Sequence, residues 1–169
     1  MWLIRIVDAI IPIDLNHLGL TPRTLHGLLG IPLMPFLHAS FGHLISNTIP
    51  LAVLLALTVA SRHRAWPVVF AIIIGNGVLL WIFGRNAYHI GASGLVFGLI
   101  AYLITVGIRE KKLFSIGIAM IVGILFGTTL LTGVIPNFGS GVSWDGHLTG
   151  AISGLLVGIG TTRTNPVLT

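Results

Sequence analysis

The chain has 169 residues, of which 54% are hydrophobic and 8% charged, and its formal net charge is +5. A soluble domain covers its surface with roughly a quarter of its residues charged, which nine basic and four acidic residues cannot do, and a mean hydropathy of +1.01 makes lipid the solvent. With no cysteine, disulfides and thiolate metal sites are excluded, and nucleic acid is excluded as a partner because the basic residues are scattered through short segments instead of forming one face.

The first apolar stretch, Ile4–Ile13, is brief and broken by Arg5, Asp8 and Pro12. It reads as the end of a truncated first span or as an interfacial helix; Asp8 and the lack of a small-residue cleavage site argue against a signal peptide. Leu44–Ala60, Trp66–Phe83, Ser93–Ile108 and Leu113–Leu131 each approach the ~20 apolar residues that cross a bilayer. A sixth segment, His147–Ile159, is shorter, and its Gly150, Gly154 and Gly158 suit a helix buried inside a bundle, where backbones approach closely. The expected fold is therefore an all-α membrane protein, a six-helix transmembrane bundle with a short or truncated first helix, forming one domain over residues 1–169.

Charge sets the direction of the spans. Arg62, Arg64, Arg109, Lys111, Lys112 and Arg163 lie in one set of connections and only Arg23 and Arg85 in the other, so the first set is expected to face the cytoplasm. Spans two, four and six then begin at the outer side, and their starts carry the polar residues: His43 and Asn47 on one helical face, Gly91-Ala92-Ser93-Gly94, and Gly146-His147. Polar groups at membrane depth cost free energy unless they serve a purpose. A serine nucleophile needs a base, which His147 can be for Ser93. The oxyanion formed on attack needs donors, which Asn47, His43 and the Ser93 backbone N–H can supply at the start of a helix. Asp145, two residues from His147, points elsewhere on the helix and is not expected in a triad.

Each residue also has a plainer reading. A membrane serine commonly bonds back to a carbonyl one turn away, glycine pairs such as Gly94–Gly98 serve helix packing, and His43 with Asn47 could bridge helices. A metal or proton path through the histidines would call for carboxylates at their depth, and no His-Glu-x-x-His occurs. His89, close before the serine, could help line the cavity but reads first as a solvated loop histidine. What favours chemistry is coincidence: four residue types required by one mechanism fall at three span starts that topology brings together.

From Pro35 onward the chain resembles the rhomboid intramembrane proteases. The resemblance rests on Pro35-Phe36-Leu37-His38 followed by His43 and Asn47, on the run from Gly91 through Ser93 to Gly98, and on His147 with Gly150 and Gly154. It implies a serine endopeptidase that cuts single-span proteins in or near their membrane helices with a Ser93–His147 dyad. By the same resemblance His43, Asn47 and Ser93 form the oxyanion hole, Phe97 stacks on the catalytic histidine, and Gly91, Gly94, Gly98, Gly150 and Gly154 support the site. It implies no cofactor and no metal, membrane lipid as surroundings, and the inner membrane of a prokaryote with the site open to the outer side; the oligomeric state is unknown. Two departures from the family pattern stand out. Gly30-Ile31 replaces a common Trp-Arg pair and Met34 a threonine, which leaves the anchoring of the first loop open, and the first span looks clipped. The segment Thr132–Gly146 is expected to act as a movable cap.

Overall fold

Four stretches of apolar sequence become helices of the length a bilayer demands. In the computed structural model, which describes residues 1–11, 14–137 and 142–162, these are α3 (Phe41–Ser61), α4 (Ala65–Phe83), α5 (Ser93–Glu110) and α6 (Leu113–Gly133). At 1.5 Å per residue they span about 27–32 Å, the thickness of the hydrocarbon core. Three further helices are described: α1 (Trp2–Ile10), α2 (Gly27–Leu33) and α7 (Trp144–Thr161). The fold is an all-helical membrane bundle with no strand among the described residues, and the chain is an integral membrane protein.

The six expected helices are present, and a seventh, α2, joins two 3₁₀ turns, Leu15–Leu18 and Met34–Phe36, in the long first connection. At nine residues, α1 is too short to cross a bilayer. It lies against the start of α3: the Trp2 indole donates to Thr48 Oγ1 at 3.2 Å, and the Arg5 guanidinium sits 5.1 Å from the centre of the Phe41 ring. Asp8 pairs with Arg5 and accepts the Leu15 N–H at 2.7 Å, and Asp14 caps the first 3₁₀ turn. The two acidic residues near the start of the chain thus hold its first turns together. Pro12, Ile13 and Arg163 lie outside the described residues.

The sequence left the anchoring of the first connection open; the structure shows substitutes for the missing pair. A Cβ on Gly30 would run into the Leu20 backbone, and one on Gly77 of α4 would meet Ile31 at 2.6 Å, so the two glycines seat α2 directly on its neighbours. Arg23 donates to the carbonyls of Ile82 and Gly84 at the end of α4, and the Trp81 indole donates to Thr24 O. Leu20 and His89 exchange both backbone hydrogen bonds, tying this connection to the one before Ser93.

At the centre stands α5, packed against α3, α4, α6 and α7 and more deeply buried than any of them. Glycine sets its approach to α7. A Cβ on Gly150 would collide with the carbonyl of Gly94, and one on Gly154 with the carbonyl of Gly98, so the two backbones touch directly. At the ends opposite Ser93, Arg62 pairs with Glu110 at 2.6 Å and Arg109 donates to Thr162, which closes that end of the bundle with paired polar groups.

Candidate active site

Three helix starts meet at the other end. Ser40 caps α3 by accepting the His43 N–H, and Ser143 caps α7 by accepting the Gly146 N–H. Ser93 is the first residue of α5, so its N–H has no acceptor inside the helix. These starts surround a cavity of about 820 Å³ lined by His43, Asn47, Ser93, Phe97 and His147, among others. The proposed nucleophile, base and oxyanion donors thus face one space.

The His147 ring is held from two sides. Its Nδ1 lies 2.9 Å from Gly133 O, and a carbonyl only accepts, so Nδ1 carries the proton and Nε2 is left as the basic nitrogen. Phe97, one turn along α5 from Ser93, stacks on the ring with centroids 4.1 Å apart and planes 5° from parallel. Gly133 at the end of α6 is a contact of the His147 ring that the sequence reading missed: a Cβ there would strike the Phe97 ring and come within 3.4 Å of His147 Nδ1.

On the α3 side, Asn47 is buried and donates one amide N–H to His43 O at 2.8 Å, which orients the amide and leaves its second N–H unused. The His43 ring borders Gly91, whose φ of +111° and whose contact with that ring both require glycine: a Cβ would lie 2.7 Å from the imidazole. Gly91 N–H donates to Met34 O at 2.8 Å, fixing the turn before Ser93 to the first connection. Behind His43 lies His38, edge-on with ring centroids 5.0 Å apart; its ring is buried with neither nitrogen hydrogen-bonded. Burial, with the His43 ring beside it, pushes the His38 pKa down to about 4, so the residue is neutral at physiological pH.

Asp145 stands apart from His147, as expected. It accepts from the Arg85 backbone N–H at 2.9 Å, from the Arg85 side chain and from Ser143 Oγ. The solvated reading of His89 is corrected here. The residue is 2% exposed, with Nδ1 2.7 Å from Ser143 Oγ and Nε2 3.1 Å from Arg85 O, and it is not part of the cavity wall. Its burial comes from the start of α7 folding over the connection before Ser93, a contact distant in sequence. Tyr88, unassigned from sequence, lines the cavity, as do Val142 and Ser143. Of the expected cap Thr132–Gly146, residues 138–141 lie outside the described part; Thr132 and Gly133 end α6, and Trp144–Gly146 begin α7. Among the described residues no cluster of side chains suits a metal ion.

Fold and cavity together define a polytopic helical membrane protein with a serine, two histidines and an asparagine facing one pocket. The Rhomboid domain profile matches residues 26–164, and the chain belongs to the rhomboid family. It is similar to an uncharacterized protein of Mycobacterium tuberculosis, 37% identical over 166 residues that cover 92% of this chain and 68% of the relative. An uncharacterized protein of Mycobacterium leprae is 38% identical over 92% of this chain and 65% of its own length. A putative rhomboid protein of Acanthamoeba polyphaga mimivirus is 31% identical over 72% and 68%. No solved structure gives a significant match.

Proposed function

We propose that this rhomboid protein is an intramembrane serine protease that hydrolyses peptide bonds in or near the transmembrane helices of single-span proteins. The observation that carries the reading is His147, fixed through Nδ1 and by Phe97 with Nε2 left basic, in the cavity that Ser93, His43 and Asn47 share. Ser93 Oγ attacks the substrate carbonyl as His147 Nε2 takes its proton. The oxyanion meets the Ser93 N–H, the free Asn47 amide N–H and the His43 ring. His147 then passes the proton to the leaving amine, the C–N bond breaks, and water hydrolyses the acyl-serine through the same base.

A helical substrate keeps its carbonyls bonded and shielded, so it must unwind before attack. The cavity runs from the start of α3, at Ser46 and Pro50, to the α6 residues Leu125 and Phe126, where the two helices make few contacts, and this is the side from which a substrate helix enters. Arg62, Arg109, Lys111 and Lys112 at the opposite end orient the cavity toward the outer side of the membrane. The test is cleavage of single-span reporters by purified protein in liposomes, with a fluorophosphonate probe alongside. Wild type should cleave and be labelled, and Ser93→Ala and His147→Ala should each lose at least a thousandfold in cleavage. Equal cleavage by wild type and Ser93→Ala would sink the reading, and a folded wild type that binds reporters without cleaving or labelling would make the protein a membrane-helix binder instead.

A further inference from the structure

The hydroxyls of this bundle fall into two groups. Within α3 to α7, serine and threonine side chains almost all have hydrogen bonds: Thr48, Thr58, Thr105, Thr132 and Thr161 donate to carbonyls one turn back, and Ser115 and Ser153 bridge to other groups. Among the described residues, three in these helices have no hydrogen-bond partner: Ser93, Thr128 and Thr129. All three line the same cavity. A threonine in a membrane helix ordinarily bonds back to relieve its hydroxyl, as Thr132 does to Thr128 O at 2.9 Å. Thr128 and Thr129 leave that bond unmade and stand exposed in the wall of a pocket, about one turn below the Gly133 carbonyl that holds His147.

We infer that Thr128 and Thr129 form a binding subsite for the backbone of an unwound transmembrane segment, their hydroxyls replacing hydrogen bonds that the substrate helix gives up when it opens beside Ser93. This rests on the protease reading and names what that reading needs. Unwinding one turn frees several N–H and C=O groups at a depth where water is scarce, and each costs free energy if left bare. A hydroxyl offers one donor and two acceptor sites, so it can serve either kind of backbone group whatever the side chains are. Such a site favours segments that unwind readily and is blind to the side chains it passes. The opposite wall repeats only part of the pattern: the Ser46 hydroxyl lines the cavity on α3 but donates to His43 O at 2.9 Å. Apart from Ser93 itself, the unbonded serine and threonine hydroxyls of this cavity are thus on the α6 side.

The experiment uses the full chain in liposomes and the paired variant Thr128→Val with Thr129→Val, which keeps the branched shape and removes both hydroxyls. Two readouts are taken: kcat/KM on a single-span helical reporter, and the rate of Ser93 labelling by a fluorophosphonate probe, which needs no unwound chain. The expected result is a fall of roughly tenfold or more in kcat/KM on the helical reporter, as for the loss of two hydrogen bonds, with labelling unchanged. The loss should shrink on a reporter whose span already carries a Gly-Pro break at the cleavage site. The Thr128→Ser with Thr129→Ser pair, which restores the hydroxyls, should recover most of the difference. If the valine pair also loses labelling, the single Thr128→Val and Thr129→Val variants decide by the same comparison. Cleavage of the helical reporter within twofold of wild type, or equal losses on intact and broken reporters, overturns the subsite while leaving the protease standing. A wild type that neither cleaves nor labels overturns both.

Discussion

Two helices pack on α5 beside Ser93, and their own glycines serve in opposite ways. α7, which carries His147, is pressed to α5 backbone against backbone, with Gly150 and Gly154 against the carbonyls of Gly94 and Gly98. Its start is clasped by Asp145, which takes both the backbone and the side chain of Arg85. α6 is also glycine-rich, yet a Cβ on Gly117, Gly123 or Gly127 would meet nothing within 4 Å, and its buried residues are only Ser115, Ile118 and Val122. The same residue type thus marks a fixed contact on one side and an open face on the other. In lipid, where apolar side chains gain nothing by leaving one solvent for another, close backbone packing is what holds a helix in place. α7 is thus seated along α5 by its own glycines, whereas α6 meets α5 at Gly107 and through side chains while its own mid-helix glycines face away from the bundle.

The largest effect should come from breaking the contact between α7 and α5. Gly154→Ala puts a methyl group into the Gly98 carbonyl, where no flexible side chain can yield, so α7 must move off α5. The expected cost is about 3 kcal/mol or more, read as a lowered unfolding transition in detergent. If Gly154→Ala unfolds with wild type, α7 is not seated by its glycines and the contrast between the two helices is wrong. A smaller effect, about 1–3 kcal/mol, is expected for Asp145→Ala, because the Arg85 N–H loses its acceptor while the Arg85 side chain, 35% exposed, can still reach water. Asp145→Asn should fall between wild type and Asp145→Ala, since a carboxamide oxygen can still accept the Arg85 N–H. An Asp145→Ala protein of unchanged stability would show that the glycine contacts alone hold the start of α7.

The sequence revealed the spans and the meeting of their starts for a simple reason. A bilayer fixes helix length, and chain direction must alternate, so Ser93, His147, His43 and Asn47 share an end of the bundle without any knowledge of contacts. What it hid depends on contacts. α2 is seven residues long and contains Pro32, too weak a pattern to stand as a helix alone; it exists because Gly30 and Gly77 let it dock on Leu20 and α4. His89 read as a solvated loop residue because its burial is supplied by Ser143 and Arg85, one of them 54 positions away. Gly133 was one glycine among 22, distinguished only by the Phe97 and His147 rings that face it. Thr128 and Thr129 look like any membrane threonines until the other serines and threonines of these helices, Ser93 apart, are seen to be hydrogen-bonded.

The smallest expected effect tests the open face of α6. Gly123→Ala with Gly127→Ala adds two methyl groups to α6 where the structure has free space, so no contact opposes them. In water the exchange of glycine for alanine in a helix is worth about 0.5–1 kcal/mol each. In a bilayer the unfolded reference stays largely helical, because bare backbone is costly there, and most of that gain disappears. The paired variant should therefore unfold within about 0.5 kcal/mol of wild type, on the stable side if at all. The contrast with Gly154→Ala is then between the same chemical change at a backbone contact and at an empty face. A destabilisation above about 1 kcal/mol in liposomes but not in detergent would mean that something docks on the Gly123–Gly127 face in the membrane. In that event the outward face of α6 is a docking face in the membrane, and its open glycines would be a property of the isolated chain alone.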